Sequence, residues 1–183
     1  FAFENMLLLQ LRVIRTTHAW HEESSIAIER KEDLAPLTSL LPFTLTDDQS
    51  AALESIIDDM ARPHPMNRLL NGDVGSGKTA VALLASVHTF QSGHQTALLA
   101  PTEVLAYQHF LSAQKLLSDS GVSIALVTHS YRSIAHTAAE DVLENVKRDD
   151  MLRAIREGTV HLVIGTHAIL QDDIAFHRLA LAI

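Results

Sequence analysis

Eight residues near the middle of the chain, Gly72-Asp73-Val74-Gly75-Ser76-Gly77-Lys78-Thr79, decide most of what it can become. They match G-x-x-x-x-G-K-[ST] in full, with the short apolar run 66–70 before them and an Ala/Val/Leu-rich stretch, 78–91, after. Small residues let such a loop wrap closely, so successive backbone N–H groups converge on one anion. A helix that begins at Lys78 adds its positive dipole end. Lys78 then reaches the outer phosphates as a point charge, and Thr79 offers its hydroxyl to Mg²⁺. A strand, a phosphate loop and a helix in that order predict an α/β fold that holds a nucleoside triphosphate through Gly72, Asp73, Val74, Gly75, Ser76, Gly77, Lys78 and Thr79. The bland alternative is a glycine-rich turn.

Around the loop, apolar runs alternate with helical periods. Strands are expected at 66–70, 96–100, 122–128, 160–165 and 179–183, and helices at 78–91, 103–118 and 134–157, the last closed by Gly158. This alternation implies βαβ units and a mostly parallel sheet flanked by helices. Upstream, residues 3–15 read as a helix from the spacing of Leu7, Leu11 and Ile14, and 16–32 as a polar connector. Thr46-Asp47-Asp48-Gln49 fits a capping box opening a helix whose buried face is Leu53, Ile56, Ile57 and Met60, stopped by Pro63 and Pro65.

Composition removes several classes. At 47% hydrophobic the 183 residues can bury a core, so disorder is excluded. No apolar stretch approaches the roughly 20 residues of a membrane span, and no membrane partner is expected. The absence of cysteine rules out disulfides and thiolate zinc sites. Charge is uneven: residues 1–62 hold 5 basic and 11 acidic side chains, and residues 63–183 hold 9 and 11. Such a surface lacks the basic stripe of a non-specific phosphate binder, yet leaves room for nucleic acid held by backbone amides and hydroxyls. The 11 histidines show no metalloprotease spacing, and His18 and His21 sit in a polar stretch. Acidic pairs such as Asp149-Asp150 read as helix starts or solvated turns. The chain starts at Phe1, which reads as a piece cut from a longer protein.

Three strings join the phosphate loop: 41–49 (LPFTLTDDQ), 100–109 (APTEVLAYQH) and 165–171 (GTHAILQ). Together with 66–79 they resemble the first helicase domain of the RecG family, bacterial ATP-dependent DNA translocases that remodel stalled forks and branched junctions. The resemblance runs over essentially the whole chain. It implies a RecA-like domain over 41–183, preceded by a helical connector over 1–40, and it implies ATP and Mg²⁺ as the bound group. It implies that Gln49 reads adenine with its carboxamide, where the residues alone leave capping and base reading equally open. It implies DNA contacts from Pro101, Thr102, Glu103, Gln108, Gly165, Thr166 and His167, where plain N-capping by the threonines is the alternative. By the same resemblance the intact protein is a monomeric helicase of the bacterial cytoplasm, associated with the nucleoid.

Ser76 and Glu103 look more like RecG than like the related translocase Mfd, which with a PriA-like motor remains the alternative, beside a regulatory nucleotide-binding domain without motor activity. D-x-x-G and N-K-x-D, the marks of a GTPase, do not occur. Two departures from the family pattern stand out: His129 where a small glycine turn is usual, and a stretch over 131–150 that reads as a helical insertion. The chain is also expected to stop just before the acidic Mg²⁺-binding motif D-E-x-H, which would leave hydrolysis to the longer protein.

Overall fold

Local chemistry at the helix ends decides where the chain turns, in a computed structural model that describes residues 2–137, 141–143 and 145–183. Helix α1 (Ala2–Glu22) extends well beyond the expected 3–15 and takes in part of the presumed connector. Its described apolar side chains, Phe3, Leu8 and Ile14 among them, are exposed. The chain then crosses to the body of the fold, where Ile28 is buried and its N–H donates to the Met60 carbonyl at 2.8 Å. After the single turn α2 (Ala35–Thr38), α3 (Asp47–Met60) begins where its capping box predicts. The Gln49 N–H donates to Thr46 Oγ1 at 3.3 Å, and the Thr46 N–H donates back to Gln49 Oε1 at 2.9 Å. Leu53, Ile56, Ile57 and Met60 all face inward.

Helix α4 (Lys78–Gln91) is apolar nearly all round and is buried accordingly, from Ala80 to Thr89 with few gaps. Beyond it run β1 (Gln95–Leu99), α5 (Glu103–Leu116), β2 (Ser123–Val127), β3 (Arg132–His136), β4 (Asp141–Leu143), α6 (Arg148–Glu157), β5 (Leu162–Gly165), a 3₁₀ turn (His167–Leu170) and β6 (Leu179–Ala182). The sheet order is β4-β3-β2-β5-β1-β6. β2, β5, β1 and β6 are mutually parallel, while β3 and β4 add antiparallel to the β2 edge. Period-two alternation divides the strands between two cores. Ile124, Leu126, Leu162 and Ile164 pack with α3, α4 and α5, whereas Ala125, Val127 and Val163 pack with Met151 and Ile155 of α6.

Two expectations are corrected. Residues 66–70 form no strand: Leu69 is 89% exposed, and Arg68 is drawn to Asp59 of α3, with Nε and Nη2 donating to the same carboxylate oxygen at 2.8 and 2.5 Å. That pair ties the segment to α3. The helix expected over 134–157 is instead the antiparallel pair β3–β4 followed by α6, so the insertion over 131–150 is mainly β in its described part. The β-branched Ile134 pairs through β3 with β2, and Lys147 supplies the extended N-cap from which the helix starts. Gly158 does close α6, in the left-handed conformation at φ 74°.

One buried carboxamide ties the far side together. Gln95 Nε2 donates to the carbonyls of Ile155 and Val160, and its Oε1 accepts from the N–H groups of His177 and Arg178. These four bonds seat the approach to β6 against the start of β1. The described helices include none long and apolar enough to cross a membrane.

Candidate functional site

Small residues shape the phosphate loop. Gly75 and Gly77 take positive φ, 84° and 80°, and Gly77 is the left-handed N-cap from which α4 departs. A Cβ on Gly77 would stand 2.3 Å from Gln49 Nε2, so a larger residue would displace that carboxamide and also strain the left-handed backbone. Lys78 folds back into the concavity, where Nζ donates to the Gly72 and Asp73 carbonyls, both at 2.7 Å. The loop is otherwise open: Asp73 and Val74 are exposed, and Thr79 follows as the second residue of α4. Together the cradle and α3 enclose a depression of about 400 Å³ lined by Thr46, Gln49, Leu70, Gly72, Ser76 and Lys78.

Gln49 serves the cap and the loop at once. Besides its exchange with Thr46, its Nε2 donates to the Ser76 carbonyl at 2.9 Å. The capping reading holds, and the same side chain also lines the depression beside the loop.

A cradle of this form, with amides at a helix N-terminus, an ammonium bonded to the loop carbonyls and a threonine hydroxyl next to it, suits a polyphosphate and its Mg²⁺. Lys78 would meet the outer phosphates and Thr79 the metal. Among the described residues, no group of three or more His, Asp and Glu gathers as a metal cluster.

The second set of expected residues assembles at the carboxyl ends of the parallel strands, the usual place for ligands in open α/β sheets. Gly165 lies in register with Leu99 of β1 and Val127 of β2, which brings three strand ends together. There Thr102 caps α5, its Oγ1 accepting from the Leu105 N–H at 3.2 Å. Thr166 is buried and caps the 3₁₀ turn. Pro101, Thr102, Glu103, Thr166 and His167 line one groove of about 370 Å³, together with Thr128 and His129. Capping and lining are thus compatible for both threonines. Gly165 supports the groove from its strand end, and Gln108 lies on the exposed face of α5, outside the lining.

Three groove features escape sequence reasoning. Arg132 and Arg148 come from the β3 edge and the start of α6, and both line the groove. Arg148 is paired with Asp173, and its Nη2 donates to Gln171 Oε1 at 3.0 Å. The Glu103 carboxylate accepts from the Ser130 N–H at 3.0 Å, which pins the 128–131 turn to α5. That backbone bond, more than any other influence, holds the Glu103 carboxyl below its ordinary value. The only sequence signal for the arginines was their place in the stretch read as an insertion.

The sequence profile of the DEAD/DEAH box helicases matches residues 46–183. The chain is 36% identical over 182 residues to the ATP-dependent DNA helicase RecG of Aquifex aeolicus, covering 99% of this chain and 22% of that protein. It is 40% identical to the RecG of Bacillus subtilis, covering 100% of this chain and 25% of that one. A solved structure of RecG bound to a three-way DNA junction superposes with a TM-score of 0.82 at 35% identity, over 98% of this chain and 23% of that one. The chain therefore spans about a quarter of the length of the relatives it matches.

Proposed function

The chain belongs to the DEAD/DEAH box helicase family, with its RecA-like α/β fold, and from that premise we propose that it is the ATP-binding portion of a RecG-like DNA helicase acting on branched DNA and stalled forks in recombination and repair. The observation that carries this reading is the presence of two sites in one fold: a phosphate cradle at the start of α4 with a glutamine bonded into it, and a hydroxyl-lined groove at the strand ends. Residues 1–40 form a helical connector on this reading, and 41–183 the helicase ATP-binding domain.

ATP with Mg²⁺, when bound, supplies a phosphoryl transfer to water that drives movement along DNA. This chain's residues supply the hold. The loop amides and Lys78 grip the phosphates, Thr79 presents its hydroxyl to the Mg²⁺, and Gln49 offers a donor and an acceptor side by side to an adenine edge. Thr102, Thr166 and the turn amides around them hold a DNA phosphate backbone. Glu103 acts by fixing the 128–131 turn that forms one wall of that groove. The relatives are bacterial, which fits a monomer of the bacterial cytoplasm working at the nucleoid.

Lys78→Ala in the full-length protein is expected to abolish DNA-stimulated ATP hydrolysis. The measurement is phosphate release with and without forked DNA, and turnover at the parent rate would sink the assignment. An Mfd-like motor is the weaker reading, since the relatives named above are RecG proteins.

A further inference from the structure

Beside the groove lies a second depression, of about 540 Å³, that the hydroxyl-lined path does not use. Glu103 and Arg132 line both, so the two adjoin, and Tyr107, Tyr131 and Asn145 stand on the rim of the second. Tyr107 sits one helical turn beyond Glu103 on α5. Tyr131 ends the 128–131 turn, in which its N–H donates to Thr128 Oγ1 at 2.9 Å and its carbonyl accepts from the Thr128 N–H at 2.9 Å. The two rings meet with centroids 5.9 Å apart, tilted by 35°, yet Tyr107 remains 42% exposed and Tyr131 50%.

Pairing each ring with the other leaves about half of each side chain in water. Two half-exposed aromatics beside a guanidinium, at the edge of a phosphate-sized path, form the arrangement on which a nucleobase stacks, because every base has a π-face and its phosphate needs a cation. Arg132 is held at the junction of the two depressions by Nε, which donates to the Val146 carbonyl at 3.2 Å. Its charge is permanent at any working pH. Asn145 adopts the left-handed backbone at φ 54°, and its side chain brings a donor and an acceptor to the same rim.

We propose that Tyr107 and Tyr131 form a stacking platform for one unpaired base of the DNA whose backbone follows the Thr102–Thr166 groove, with Arg132 holding the phosphate between groove and platform. The proposal rests on the reading of that groove as a DNA path. A fully paired duplex has no free base to offer, so the platform favours branch points and gaps over continuous duplex.

The test uses the full-length protein and two DNAs: a branched substrate with a short single-stranded gap carrying 2-aminopurine at the junction, and its fully paired counterpart. Binding by the parent should quench the 2-aminopurine. The double variant Tyr107→Leu/Tyr131→Leu keeps apolar volume but removes the rings. It should bind the gapped branch about 5- to 150-fold more weakly, the loss expected for one base–aromatic stack, and leave the probe unquenched. Tyr107→Phe/Tyr131→Phe should retain both affinity and quenching. Equal affinity and quenching for the Leu variant overturns the platform while leaving the groove intact. A parent protein that binds neither DNA overturns the DNA reading itself, and the platform with it.

Discussion

Gly165 stands where three strand ends come closest. A Cβ there would lie 1.9 Å from the Val127 carbonyl oxygen and 3.0 Å from Ile169 Cδ1. Its φ is ordinary, so the requirement is space rather than backbone conformation. Gly165→Ala is expected to cost about 3 kcal/mol in urea unfolding, since backbone must shift to admit the methyl group; a loss under about 0.5 kcal/mol would show the strands are not so close. At this scale the sequence was informative wherever a residue type is demanded by a chemical job. Lys78, the loop glycines and the capping threonines fall at the positions their spelling assigns. Arg132 and Arg148 were invisible for the opposite reason. A lone arginine has no spacing rule, and only the fold shows that the β3 edge and the start of α6 converge on the groove.

Among the elements, α5 and the 128–131 turn depend on one bond. Glu103 lies in the first turn of α5, and its carboxylate accepts from Ser130 across to the β2–β3 connection. Because the carboxyl is held below its ordinary value of 4.5, the contact is complete above that pH and is lost as pH falls through the lowered value. Glu103→Ala is expected to raise hydrogen exchange at the Ser130 amide at least several-fold, with the α4 core amides unaffected; unchanged exchange at Ser130 would remove the tether from the account. The elements also mark where periodicity failed. Residues 134–157 carried enough apolar and charged positions to read as one helix, but Arg132–His136 is recruited by the open edge of β2. Residues 66–70 erred the other way: a short apolar run does not by itself specify a strand, and this one lies beside α3, tied there through Arg68 and Asp59. Tertiary partners overrode local preference in both places.

For the whole molecule, acid is the expected weakness. His88 is fully buried on α4, and neither ring nitrogen has a hydrogen-bonding partner in the protein. Burial, then the positive charge of Lys31, holds its pKa below the ordinary 6.5. His161 is held below that value by burial and then by His136, and its neutral Nδ1 accepts from the Ser123 N–H at 2.9 Å. Both lowered values act in one direction. The unfolded chain binds these protons first, so stability is full above about pH 6.5 and declines as pH falls toward the folded values. Denaturant unfolding at pH 7.5 and 5.0 should show this decline, and His88→Leu should flatten it while relieving two unpaired buried nitrogens; a variant as acid-sensitive as the parent would mean His88 is not responsible. The four parallel strands β1, β2, β5 and β6 and the helices α4 and α5 were legible from strand–helix alternation, whereas β3 and β4 were not. The extent of α1 and its exposure were not, since a dense apolar helix reads the same whether or not anything covers it.

That helix lies outside the core. None of the described side chains of α1 belongs to either core cluster, and the first buried apolar residue among those described is Ile28. The described side chains of α1 therefore add no buried apolar surface to either core of the fold. Among the described residues, the buried core shared by the helices and the sheet starts at Ile28.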